Sequence, residues 1–180
     1  MLRAAFAFAL LLLGSAVASA APAPITEIGL AECYDYFGHP LDALRLTPDG
    51  RVLRWTALLM PDGKVGPAKV ESADIGVGTY RAIAHQIETS TFFERSHTRG
   101  AVIVSDTHDD RISAVRAGRR MTWAGDRYPK DRGDMIWSMI LAVHDPTRDV
   151  NLVWHPATTT IDQFALCREP VQEGEPELLR

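Results

Sequence analysis

Pro48-Asp49-Gly50 is followed by residues that alternate between apolar and polar, and no other stretch limits the fold as tightly. Proline presets φ for the first corner of a reversal, and glycine accepts the positive φ that a tight turn needs. Leu53, Trp55, Ala57 and Leu59 recur at every second position, the period of a strand with one buried face. Strands are therefore expected over 42–47 and 51–59, joined as a hairpin. Pro, Asp and Gly punctuate 61–67, which reads as a loop, and a further strand is expected over 68–77.

The period then changes. Tyr80, Ile83, Ala84 and Ile87 fall at i, i+3, i+4 and i+7, one stripe of a helix. Gly78-Thr79 opens it, with Thr79 as the expected cap, and Phe92-Phe93 should anchor its exit in the core. Residues 101–105 are rich in β-formers. Residues 111–117 and 119–124 should pair around Ala117-Gly118-Arg119. A second helix is expected from about 129–134, with Ile136, Met139, Ile140 and Val143 as its stripe, ended by His144-Asp145-Pro146. Val150, Leu152 and Trp154 suggest a last strand stopped by Pro156. Hairpins dominate and helices follow groups of strands. The expected class is α+β: a mostly antiparallel sheet with two helices packed on one face, in a single compact domain.

The ends point to export. Arg3 precedes the apolar run Ala4–Leu13, Gly14-Ser15 breaks it, and Ala18-Ser19-Ala20 has the small-x-small form that a signal peptidase cuts. Ten apolar residues fall short of the ~20 needed to cross a bilayer. Residues 1–20 therefore read as a cleaved signal peptide, with a retained N-terminal anchor as the alternative. Residues 21–29, beginning Ala-Pro-Ala-Pro, read as a spacer, 30–167 as the domain, and 168–180 as a polar tail. The chain is mildly acidic, at −4. With basic residues scattered along it, this argues against nucleic acid as a partner.

Cys33 and Cys167 are the two cysteines. In an oxidising compartment such a pair tends to be bridged. Closing so long a loop stabilises by at most ~5 kcal/mol on chain-entropy grounds. No Cys-x-x-C occurs, so redox chemistry has little support.

The stretch "VIVSDTHDD", 102–110, carries the one metal-like pattern. Asp106, His108 and Asp110 alternate, so in an extended segment they share a face. Carboxylate and imidazole together suit a divalent metal. With Gly125-Asp126 and Asp131-Arg132-Gly133, the stretch resembles motifs of the calcineurin-like metallophosphoesterases. That resemblance implies a metal-dependent hydrolase using Asp106, His108 and Asp126. It fails on the remaining ligands: no Asn-His pair occurs, and the only asparagine is Asn151. The expectation is a polar turn with Asp106, Asp109 and Asp110 solvated and no metal bound. "GVGTYRA" from Gly76 lacks the third glycine and the βαβ context of a dinucleotide fingerprint, so it reads as a turn that starts a helix. No Gly-x-Ser-x-Gly occurs, and no catalytic residue or cofactor is expected. His85 sits beside the first helical stripe. His97, with Arg95 and Arg99, occupies a loop.

Over roughly 30–145 the chain resembles a family of bacterial, mostly exported domains of unknown function. These open with a cysteine, then Cys-Pro-x-Tyr, an Asp-Gly hairpin, a strand, a helix ending in a Phe-Phe-like pair, a polar loop with an Asp, and a hairpin. Cys33, Pro40 to Asp49, Tyr80 to Phe93, Ser105-Asp106 and Ile112 to Trp123 match in order. His39 stands where the second cysteine would be and Asp42 replaces the tyrosine, which leaves Cys33 free for Cys167. The resemblance implies no activity. The expectation is a secreted or periplasmic, non-catalytic binding or envelope-accessory module. Its partner would be a protein or small ligand of the envelope, with no stable membrane insertion after signal cleavage.

Overall fold

The computed structural model describes residues 22–33, 38, 40–94, 109–126, 135–168 and 172–173. One eight-stranded sheet organises them. Its strands are β1 (Ile25–Cys33), β2 (Pro40–Leu46), β3 (Arg51–Leu58), β4 (Lys69–Asp74), β5 (Asp109–Arg116), β6 (Arg119–Asp126), β7 (His155–Pro156) and β8 (Gln172–Glu173). The spatial order is β7-β4-β3-β2-β1-β5-β6-β8. Every neighbouring pair is antiparallel except β6–β8. Helices α1 (Val77–Glu88) and α2 (Met135–Thr147) and the 3-10 helix Gln163–Arg168 complete the α+β fold.

The hairpin built on Pro48-Asp49-Gly50 joins β2 to β3. The Gly50 N–H donates to the Thr47 carbonyl at 2.9 Å, and Gly50 adopts φ 82. A Cβ there would lie 2.4 Å from the Gly76 carbonyl carbon, so the turn also needs glycine where it meets the start of α1. Ala117 and Gly118, with φ 51 and 75, make the β5–β6 reversal, the doubly positive corner that suits the twist of a two-residue hairpin.

Strand alternation divides the buried residues into two clusters. Ile28, Leu30, Leu44, Leu46, Val52, Ile112, Ala114, Met121 and Trp123 join Tyr80, Ile83, Ala84 and Ile87 of α1 and Ile136, Met139, Ile140 and Val143 of α2. Phe92 is enclosed with them, edge-on to Trp123 at 6.2 Å, and its carbonyl accepts the indole N–H at 3.0 Å. Ala31, Leu41, Ala43, Trp55 and Ala57 belong to the second cluster, with Phe164 and Leu166 of the 3-10 helix. The Cys33–Cys167 disulfide, with Cα atoms 5.6 Å apart, fastens that helix beside β1.

Several sequence expectations are corrected. The spacer assigned to 21–29 contains the start of β1, and β1 lies in the interior of the sheet between β2 and β5. The tail assigned to 168–180 includes β8, paired with β6. Thr79 does not cap α1: the cap is Gly76, with no side-chain bond, and Thr79 lies within the helix. Helix α2 runs through Pro146 to Thr147, which is tolerable in a last turn where proline costs a single ladder bond. The strand expected at 150–154 is displaced to His155–Pro156, and Val150 is 94% exposed. Residues 101–105 lie outside the described residues.

Candidate functional site

Asp106 and His108 of the metal-like pattern, and Ser105 with them, lie outside the described residues, as do Arg95, His97 and Arg99. Asp126 ends β6, where its backbone pairs with that of Asp109 at the start of β5. Asp110 is not solvated as expected: it is 1% exposed. His85 is exposed on α1.

Asp110 marks a buried polar group that sequence periodicity missed. It sits directly across the ladder from Glu32 of β1, itself buried. His144, buried on α2, places Nε2 3.8 Å from Glu32 Oε1, and the Arg148 guanidinium approaches the same oxygen at 3.4 Å. A buried carboxylate is tolerated only where charge or hydrogen bonds compensate it. Here Arg148 supplies a cation just past the end of α2, where the helix dipole also favours positive charge. The arrangement ties that end of α2 to β1 next to Cys33. Only the register of β1 against β5 brings Glu32 and Asp110 together, so no local pattern announces it.

The second polar feature is open. A groove of about 870 Å³ is lined by Arg45, Thr47, Pro48, Asp49, Arg51, Leu53, Pro156, Ala157, Thr158 and Thr159. Its floor follows from the β2–β3 register, which sets Arg45 opposite Leu53. Arg51 lies two residues before Leu53 and so on the same face. One wall is the hairpin turn, Thr47–Asp49. The other is the strap 156–159, which runs from β7 toward the 3-10 helix. Two bonds hold the strap against the sheet: the Ala157 N–H donates to the Val70 carbonyl at 3.0 Å, and the Trp55 indole N–H donates to the Ile161 carbonyl at 3.2 Å.

The groove's charges are arranged unequally. Asp49 accepts the Thr47 hydroxyl at 2.6 Å and the Arg51 backbone N–H at 3.4 Å. The Thr47 hydrogen bond, with help from Arg51, holds the Asp49 carboxyl below its ordinary range and keeps it ionised within the turn. Arg45 pairs with Glu27 Oε2 at 2.6 Å, and Arg120 takes the other oxygen of the same carboxylate at 2.7 Å. Arg51 has no ion-pair partner among the described residues, and Asp74, opposite it on β4, accepts the Gly76 N–H instead. Sequence reading missed this site because its walls, 47–49 and 156–159, are a hundred residues apart. The available signal was the Thr-Thr-Thr run at 158–160 after a proline.

Among the described residues no group of three or more His, Cys, Asp or Glu could hold a metal ion. No helix among them is long and apolar enough to cross a membrane. Compared with known proteins, the chain matches no family model, no curated protein and no solved structure.

Proposed function

We propose that this protein is an exported, non-catalytic binding module of the cell envelope, and that its working surface is the groove between the β2–β3 turn and the strap 156–159. One observation carries the reading. The groove's volume, about 870 Å³, lies within the range of small-molecule sites, and its lining sets the charged and hydroxyl groups of Arg45, Arg51, Asp49, Thr158 and Thr159 around an apolar patch at Leu53. The Cys33–Cys167 bridge supports export, since disulfides persist in oxidising compartments, and the N-terminal pattern agrees with it. In this reading the two helices form a layer over one face of the sheet, which leaves the groove on the side braced by the disulfide. The likeness to the exported bacterial family fits the same assignment.

The test is a titration of isotope-labelled protein with a set of neutral, anionic and cationic small molecules, followed by amide chemical shifts. Saturable shifts confined to 47–53 and 156–159 are expected. A set that leaves these amides unmoved removes the groove as the working surface. Export is checked separately by fusing residues 1–30 to a reporter that becomes active only outside the cytoplasm. An inactive fusion refutes it.

A metal-dependent hydrolase using Asp106, His108 and Asp126 is the competing proposal. It draws on the backbone pairing of Asp126 with Asp109, the residue that follows His108 in the sequence. Metal analysis of untreated protein, with an assay on aryl phosphates, decides it. A full equivalent of a transition metal together with turnover would favour the hydrolase over the binding module.

A further inference from the structure

We propose that the groove binds the oxyanion of a small polar molecule, a carboxylate, sulfate or phosphate group, between Arg45 and Arg51. This rests on the reading of the groove as the working surface and assigns its ligand class. The register places Arg45 opposite Leu53, so Arg51 stands diagonally across the ladder from Arg45 on one face. Diagonal neighbours sit roughly 7–8 Å apart, a spacing that long side chains span to meet a shared partner. Guanidinium groups present planar donor forks that match an oxyanion, and such charge-assisted bonds are the strong ones.

The neighbouring charges favour an anion over a cation. Among the described residues of the lining Asp49 is the only acid, and its Oδ1 already accepts from Thr47 and from the Arg51 backbone. Glu27 is divided between Arg45 and Arg120, so one carboxylate answers two guanidiniums. The Arg51 side chain has no ionic partner among the described residues, and Asp74, opposite it on β4, accepts the Gly76 N–H. The lining itself thus carries two guanidiniums and one carboxylate, in a protein whose overall charge is negative. The strap adds hydroxyls. Thr159 accepts the Ile161 N–H at 3.1 Å, which leaves its own proton available to donate, and Thr158 is exposed on the groove wall. Leu53 supplies an apolar patch of floor between the arginines, where a charge-assisted bond is screened less than in open water.

The experiment is an amide-shift titration of the purified protein with sodium acetate, sulfate and inorganic phosphate against sodium chloride at matched ionic strength, beside glycerol as a neutral probe and putrescine as a cationic one. Oxyanions are expected to move Thr47, Arg51, Thr158 and Thr159 saturably, while chloride does not. Acetate and the tetrahedral anions separate planar from tetrahedral recognition. Arg51→Gln, chosen because Arg51 is exposed and carries no buried contact to lose, is expected to weaken oxyanion binding by about tenfold, the loss of one charge-assisted contact. Lys64→Gln, which removes an exposed cation outside the groove, should leave it unchanged. Saturation by glycerol or putrescine with no response to oxyanions overturns the ligand class and leaves the groove standing as a binding surface. Silence to every probe overturns both. An Arg51→Gln protein that titrates like the parent overturns the assignment to these arginines.

Discussion

The two hydrophobic clusters are closed in different ways. The larger one gathers long side chains, Phe92, Trp123, Met139, Ile140 and Ile28, around two regular helices. On the sheet side the smaller one sets only two large buried residues, Leu41 and Trp55, among small ones, Gly29, Ala31, Ala43 and Ala57. Small residues let a covering segment lie close, but they offer little area to bury, and burial stabilises by only ~25 cal/mol per Å². The covering segment here is a six-residue 3-10 helix and the irregular strap before it. It is held by individual tethers: the disulfide, the Trp55 indole to the Ile161 carbonyl, the Gln163 amide to the Leu44 carbonyl at 2.9 Å, and Arg111 to the Leu166 carbonyl at 3.0 Å. Where area is scarce, covalent and polar links take its place, and the groove opens beside the segment they secure.

This contrast can be broken by mutation. Trp123→Ala should cost the most, ~3–5 kcal/mol, because it empties the centre of the larger cluster and strands the Phe92 carbonyl. Denaturant unfolding measures it. A loss below ~1 kcal/mol would mean that this cluster is not the main source of stability.

Replacing Cys33 and Cys167 together by serine should cost ~2–4 kcal/mol, since the bridge closes a loop of 134 residues. The loss should also be local. Amides of 161–168 are expected to exchange with solvent sooner than those of α1. Equal protection in both segments of the serine protein would show that the polar tethers suffice without the bridge.

Gly29→Ala sharpens the point about small residues. Its Cβ would fall 2.5 Å from Ser113 Oγ and 2.7 Å from Gln163 Nε2, so the Ser113 hydroxyl must turn away and either the 3-10 helix lifts or the Gln163 tether breaks. A loss of ~1–3 kcal/mol is expected from overpacking. A neutral result would show that the cover is looser than its contacts imply.

The smallest effect at neutral pH belongs to Tyr80, in the larger cluster. Its hydroxyl donates to the Ile25 carbonyl at 3.0 Å, and burial, with the charges of Glu88 and Glu27, pushes its pKa up to about 12. The fold therefore favours the neutral phenol. This contribution is whole below pH ~10, the ordinary phenol value, and is lost as pH rises through about 12. Stability measured across that window should fall in the parent protein and fall less in Tyr80→Phe. Parallel curves would remove Tyr80 as the cause.

Much of the larger cluster was legible from spacing alone. The stripes Tyr80–Ile87 and Ile136–Val143 are buried as the helical period demands, and the turn at 48–50 forms the expected hairpin. The smaller cluster was mostly hidden. Residues 163–168 carry no period, and β1 opens behind an Ala-Pro stretch that reads as a linker. The groove was hidden for the same reason, since its strap has no repeating pattern. Asp110 misled more directly: in a run of acidic residues it reads as solvated, yet register seals it against Glu32.

Residue order by itself determined the reversals, the helical faces and the fact that two cysteines stand near opposite ends of the domain. Each depends on neighbours within a few positions, where backbone sterics and side-chain period act directly. Only the tertiary structure decided that β1 lies between β2 and β5, that Glu32 meets Asp110 and His144, and that residues 156–159 wall a groove with residues 47–49. Those pairings join segments tens to more than a hundred residues apart. They are selected by shared burial across the whole sheet after the chain has closed its loops, and no local window contains that information.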